Sequence, residues 1–212
     1  EYAFYLCNHL QNVLIPEGVT KIQAMAFADC TSLESVTIPG GVKKIGIYAF
    51  ENCEALSNLI ICEGVEKIDE YAFKECKSLT NITFPSTITS IGAYAFYHCQ
   101  ALENVILPEE IQTLENYTFC GCISLKSITL PSKLTGIGTA VFEGCQSLAN
   151  IDIPYGVTYI GEYAFEECTS LKSIEIPNSV TTIGEDAFTN CYNVQKFNGG
   201  NGVETSEAHA FT

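Results

Sequence analysis

A strict period of 23 residues constrains this chain more than any other feature of its sequence. Phenylalanine recurs at every step of the period, and cysteine follows three residues later for nine steps. The phenylalanines are residues 4, 27, 50, 73, 96, 119, 142, 165, 188 and 211, and the cysteines are residues 7, 30, 53, 76, 99, 122, 145, 168 and 191. Such a period, kept without insertion or deletion, predicts a stack of repeats in which each repeat buries its apolar face against its neighbours.

Each repeat contains one segment with the periodicity of a strand. In Val36, Thr37 and Ile38 the apolar residues alternate and β-branched side chains predominate, which favours a short strand. Pro39 follows, and because proline has no backbone N–H it would end the strand there. Stacked copies of this segment predict a parallel sheet with one strand per repeat.

A second segment of each repeat has apolar residues at three- and four-residue spacing. Ala49 and Cys53 are four residues apart, and Ala72 and Cys76 repeat the pattern. This spacing predicts a single helical or 3₁₀ turn on the side of the repeat opposite the strand.

The whole unit, as in residues 33–55, resembles the 23-residue leucine-rich repeat of the BspA-like (Treponema-pallidum-type) class. The run of Ile45, Gly46, Tyr48, Ala49 and Phe50 before its cysteine is typical of that class. The resemblance implies an α/β repeat fold: a right-handed leucine-rich-repeat solenoid with short parallel strands on one face and short helical turns on the other. It also implies a surface or secreted protein of a host-associated microbe, usually with a role in adhesion and without enzyme activity.

The repeats predict a single leucine-rich-repeat domain over residues 1–212, with about nine repeats. Residues 198–212 form a degenerate terminal repeat, since Ser206 replaces the expected isoleucine and the register returns only at Ala210 and Phe211. Both ends fall within a repeat, so we expect the sequence to be a piece of a longer protein.

Acidic residues outnumber basic residues by 25 to 10, which gives a formal net charge of −15. This balance argues against a nucleic acid or an anionic membrane as the partner. No apolar run approaches the roughly 18–20 residues of a membrane span, so we expect no membrane insertion in this segment. The sequence contains no recognisable catalytic motif and predicts neither an enzyme nor a cofactor.

The cysteine ladder is interpreted as part of the core, where a free thiol packs as a small apolar group. Occasional disulfides and a metal site are the alternatives, although a linear stack of parallel side chains suits neither geometry well. Two cysteines lie outside the ladder. Cys62 replaces a proline after a strand, and Cys120 is the candidate for a reactive thiol, expected to be more accessible than the ladder.

The strand face is the surface predicted to bind a partner, because the side chains between the inward apolar columns point outwards there. Its candidate residues form one outward column, with two tyrosines expected on a loop after a strand: Thr37, Ile60, Thr83, Ile106, Thr129, Asp152 and Glu175, with Tyr155 and Tyr159. Apolar or threonine side chains occupy the column as far as residue 129, and acidic side chains follow. The alternative is that these residues are simply good strand formers.

The leading hypothesis is a non-catalytic protein-binding or adhesion scaffold, displayed on a cell surface or secreted, whose partner is a host or neighbouring-cell surface protein. The first alternative is a structural spacer that positions another module of the full-length chain. The second is a carbohydrate-binding repeat, in which Tyr155 or Tyr159 would contact the glycan.

Overall fold

A computed structural model describes residues 1–203 and 205–206 of the chain as a stack of parallel coils, each made of one 23-residue repeat. Sixteen short strands occur among the described residues: β1 (Asn12–Leu14), β2 (Lys21–Ile22), β3 (Ser35–Ile38), β4 (Lys44–Ile45), β5 (Asn58–Ile61), β6 (Lys67–Ile68), β7 (Ser90–Ile91), β8 (Asn104–Ile106), β9 (Thr113–Leu114), β10 (Ser127–Thr129), β11 (Gly136–Ile137), β12 (Tyr159–Ile160), β13 (Ser173–Ile176), β14 (Thr182–Ile183), β15 (Lys196–Gly199) and β16 (Thr205–Ser206). The parallel-strand solenoid predicted from the repeat is confirmed.

The strands form two sheet faces, where the sequence predicted one strand per coil. The first sheet face carries the predicted strands in the parallel sets β1-β3-β5, β8-β10 and β13-β15. The second sheet face carries an additional two-residue strand from most coils, in the parallel sets β2-β4-β6-β7 and β9-β11-β12-β14-β16. In β4 and β6, for example, the second residue is the isoleucine that precedes the turn segment. This isoleucine is buried, and the lysine before it is more exposed.

The prediction of helical turns is wrong, because the described residues contain no helix. Tyr48 and Asn52 both have left-handed backbones, with φ of 55° and 56°, whereas an α-helix needs negative φ throughout. The N–H groups of Phe50 and Asn52 donate to the carbonyls of Ala72 and Lys74 on the next coil, over 2.8 and 2.7 Å. The segment is therefore a run of tight turns whose alternate N–H groups join the coils, and we call it the turn face.

The phenylalanine ladder forms the centre of the core. Successive rings from Phe4 to Phe188 stack on one another, with centroids 5.0–6.1 Å apart. The widest step, 6.1 Å, separates Phe119 from Phe142. Thr118 and Val141 stand there in a column that is otherwise alanine, and both are fully buried. The step is thus widest where the neighbouring column is bulkiest.

The terminal repeat still pairs with the stack, although it departs from the consensus. Strand β15 pairs with β13 in register, so that Phe197 lies beside Ile174 and Gly199 beside Ile176. Strand β16 likewise pairs with β14. The expected return of the register at Ala210 and Phe211 lies outside the described residues.

Candidate binding face

The first sheet face presents an outward column of exposed side chains, one from each coil, as the sequence predicted. Register places Thr37 between Leu14 and Ile60 on adjacent strands, and Ile106 beside Thr129. The column alternates between bulky apolar side chains and threonine. Leu14 is 88% exposed, Ile106 is 70% exposed and Ile60 is 48% exposed. Three large apolar side chains thus face solvent in alternate coils of one surface.

The neighbouring column holds the polar groups of this face, and several of them bond to each other along the stack. The hydroxyl of Ser35 donates to the Asn12 side-chain oxygen over 2.7 Å, and Ser127 donates to Asn104 over the same distance. The outward column is therefore bordered by a polar column, in which Ser35 bonds to Asn12 and Ser127 bonds to Asn104 within the protein. An exposed apolar strip with a polar border is the composition expected of an interaction surface.

A shallow cavity of about 410 Å³ lies beside the middle of the apolar column. It is lined by Ile60, Thr83, Ser57, Asn58 and Thr80, among other residues of two neighbouring coils. Thr83 stands in a coil whose first-face segment has no full strand and joins its neighbour through a single bridge between Asn81 and Asn104. The structure thus brings Ile60 and Thr83 together at an indentation of the face.

The acidic end of the same column forms a second cavity, of about 460 Å³. Asp152, Tyr155 and Glu175 line it together, next to Pro177 and other residues of the following loops. The Tyr155 ring is 76% exposed, and both acidic residues are exposed. The structure therefore gathers three residues that the sequence proposed separately.

Tyr159 lies outside this cavity and on the other sheet face. The sequence placed Tyr159 on a loop, but it belongs to strand β12 and pairs with Gly136 of the preceding coil. Its ring covers Gly136, where an added Cβ would come within 2.0 Å of the ring. Burial is the main cause that raises the pKa of the Tyr159 hydroxyl, and the charge of Glu115 adds to it. The two tyrosines therefore do not share a site.

The turn face carries an aromatic stack. Tyr48, Tyr71, Tyr94 and Tyr117 form a continuous pile with centroids 4.5–4.6 Å apart. Ala140 ends the pile, because it occupies the next position of the tyrosine column. The faces of the stacked rings meet each other, so chiefly their edges are available to a partner.

The ladder cysteines from Cys30 to Cys168 are fully buried, which confirms their place in the core. Cys120 is also buried, with 5% exposure, so the expectation of an accessible thiol at this position is wrong. Its thiol lies 3.7 Å from the Glu143 carboxylate. Burial, with the Glu143 charge as the next cause, raises the pKa of Cys120 far above its usual range, which disfavours the reactive thiolate. Cys62 is half-buried.

Within the described residues, the ion pairs lie between Lys43 and Lys133. They join six lysines to acidic residues, mostly of the adjacent coil: Lys43, Lys44, Lys74, Lys77, Lys126 and Lys133. Among the described residues, none beyond Lys133 takes part in an ion pair. Asp152 and Glu175, at the acidic end of the first sheet face, therefore have no ion pair with a described residue.

The sequence model of the BspA type leucine rich repeat region matches six copies in this chain, over residues 1–112 and 89–212. The chain belongs to the BspA-type leucine-rich-repeat family. This result confirms the family to which the repeat unit was compared. A search of the curated proteins found no match.

Two crystal structures of bacterial leucine-rich-repeat proteins are similar to this BspA-type chain. A leucine-rich repeat protein from Bacteroides ovatus is 34% identical, with a TM-score of 0.85 over 97% of this chain and 57% of its own length. The leucine-rich repeat protein of Treponema pallidum is 30% identical, with a TM-score of 0.73 over 76% of this chain and 78% of its own. The present chain thus spans little more than half the length of the Bacteroides ovatus protein.

In the part that the structure describes, no three His, Cys, Asp or Glu side chains are grouped so that they could hold a metal ion. Within the same residues, no helix has the length and apolarity that crossing a bilayer requires.

Proposed function

We propose that residues 1–212 form one non-catalytic, protein-binding domain of a surface or secreted protein, and that its role is adhesion. The first sheet face is its contact surface. The observation that carries the proposal is that Leu14, Ile60 and Ile106 are exposed at the same outward position of alternate coils. Solvent-exposed strand positions would serve solubility better with polar side chains, so three large apolar groups in one line favour a partner that covers them.

The rigidity of the face supports the same function. Where this face has strands, core packing holds its outward side chains in place: Val36 and Ile38, on either side of Thr37, are almost fully buried. A face held in this way loses little conformational entropy on binding, which leaves more of the contact energy for affinity. The family resemblance supports the surface location and a protein of a neighbouring cell as the partner.

Site-specific photo-crosslinking tests whether partners contact this face. A photo-reactive phenylalanine derivative would replace Thr83 on the first sheet face or, as the matched control, exposed Thr181 beside the second sheet face. Each protein would be incubated with intact mammalian epithelial cells and irradiated. We expect a discrete crosslinked surface protein from position 83 and none from position 181. Equal crosslinking from both positions, or crosslinking from position 181 alone, would contradict the proposal.

A further inference from the structure

We propose that the cavity between Asp152, Tyr155 and Glu175 receives an arginine side chain of the protein partner. The inference rests on the proposed function, because it names the chemistry by which the acidic end of the first sheet face recognises that partner. In this proposal the apolar end of the face supplies contact area with the partner, and the acidic end determines which partner is recognised.

Neither carboxylate of the cavity takes part in an ion pair within the described residues. Asp152 and Glu175 stand at the same position of adjacent coils, where a neutral side chain occurs in every preceding coil. No described lysine lies within ion-pair distance of either carboxylate, although six lysines pair elsewhere. Like charges at the same position of adjacent coils repel each other, and a bound cation would relieve that repulsion.

The remaining lining favours a flat, delocalised cation. The exposed ring of Tyr155 and the apolar edges of Ile153 and Pro177 border the cavity, and Asn178 and Asn201 lie beside them. A guanidinium group stacks on an aromatic face and binds carboxylates with two parallel N–H donors. Lysine offers a compact, strongly hydrated charge without a planar surface. The combination of two carboxylates and one open aromatic ring therefore fits arginine better.

The charge of the chain is consistent with a basic partner. The formal net charge is −15, and the sequence contains no arginine. A second copy of this segment could not supply the guanidinium group, so the donor lies outside residues 1–212. Because the cavity lies on the same face as Leu14, Ile60 and Ile106, one partner surface can contact both ends of the column.

The test is a titration of ¹⁵N-labelled protein with the peptide acetyl-Gly-Arg-Gly-amide, followed by amide chemical shifts. Matched peptides carry lysine or the neutral isostere citrulline in place of arginine. Two variants have the same net charge: D152N/E175Q changes the cavity, and E162Q/E185Q changes two carboxylates on the turn face. The second variant separates a local site from the general attraction of an acidic protein.

We expect the arginine peptide to shift amides of residues 152–155 and 175–178, with citrulline binding too weakly to measure. D152N/E175Q should bind arginine about tenfold more weakly, and E162Q/E185Q should bind as the parent does. Equal losses in both variants, or equal affinity for lysine and arginine, would overturn the assignment. If the peptide does not bind but crosslinking from Thr83 persists, the arginine site is wrong and the binding face stands.

Discussion

The thiol of Cys53 donates a hydrogen bond to the backbone carbonyl oxygen of Phe27 on the preceding coil, over 3.2 Å. The same bond joins each described ladder cysteine from Cys30 to Cys191 to the phenylalanine 26 residues before it, over 3.1–3.3 Å. The two ladders seen in the sequence thus form one bonded column. A cysteine fits because it is small and apolar and because its thiol can donate weakly to a backbone carbonyl. The Phe27 carbonyl already accepts the Cys30 N–H, so the Cys53 thiol is its second donor.

The thiol column predicts a loss of stability in alkaline solution. Burial raises the pKa of Cys99 to about 12. In the unfolded chain the cysteine thiol has a pKa of about 8.5. Above that pH the unfolded chain loses protons that the folded chain keeps, so the free energy of unfolding falls as pH rises towards 12. Each buried cysteine contributes up to about 1.4 kcal/mol per pH unit.

Urea unfolding of the reduced protein at pH 7, 9 and 10 checks this expectation against the variant C99A. The variant should be less stable at pH 7, because it loses the thiol bond and leaves a small void. Its stability should fall less steeply between pH 9 and 10 than that of the parent. Parallel pH profiles would show that Cys99 does not titrate differently in the folded state.

Thiol labelling should distinguish the cysteines by burial and not by their position in the ladder. We expect Cys7 and Cys62 to react rapidly in the native protein at pH 7.5, since the first is exposed and the second is half-buried. Cys120 should resist, because it is buried beside Glu143. Peptide mapping by mass spectrometry after brief maleimide treatment gives the order of reaction, and C62A serves as the control. Labelling of Cys120 as rapid as that of Cys62 would refute the assigned burial.

The tyrosine pile should contribute to stability through its ring contacts. Tyr71 stacks on Tyr48 and Tyr94, with centroids 4.6 Å away on each side. Tyr163 occupies the same column between Ala140 and Asp186 and is the matched control. We expect Y71A to lower the free energy of unfolding by about 1–3 kcal/mol more than Y163A, since it removes two stacked pairs. Y71F keeps the rings and should be nearly neutral; equal losses for Y71A and Y163A would contradict the stacking account.

The left-handed backbone of the turn face predicts a specific glycine effect. Gly144 has a φ of 69°, and an added Cβ there would meet only ordinary contacts at 3.7 Å. G144A should therefore cost about 1–2 kcal/mol through backbone strain alone. Gly18 lies in open space without a positive φ, so G18A should be neutral or slightly stabilising. Chemical denaturation of both variants measures the difference, and equal effects would contradict the backbone assignment.

Much of the fold could be predicted because the repeat displays each core column nine times. Phe50 and Cys53 are recognisable as core through repetition alone, without any knowledge of their contacts. The turn conformation could not be predicted in this way. Ala49 and Cys53 have helical spacing, and both are buried, but the bonds that decide the geometry run from Phe50 and Asn52 to the next coil. Such contacts leave no local periodicity.

The sequence predicts which residues of the candidate site point outwards, but it does not predict which of them lie together. The alternation of strand residues places Ile60 and Ile106 on the outward side, and the structure exposes both. Whether Tyr155 or Tyr159 belongs beside Asp152 depends on how the loop after each strand bends. The repeat does not encode that bend, since Tyr155 and Tyr159 both replace non-aromatic residues of the consensus.

The affinity of the crosslinked partner for two sets of variants tests the binding face most directly. L14T/I60T/I106T extends the threonines already present in the column and keeps β-branched strand formers at the two isoleucine positions. The matched control I47T/I123T removes two exposed isoleucines, 39% and 41% exposed, that lie outside the column. The account predicts that the triple variant binds at least about tenfold more weakly while the control binds as the parent does. Unchanged affinity in the triple variant, with its unfolding free energy intact, would show that the first sheet face is not the contact surface.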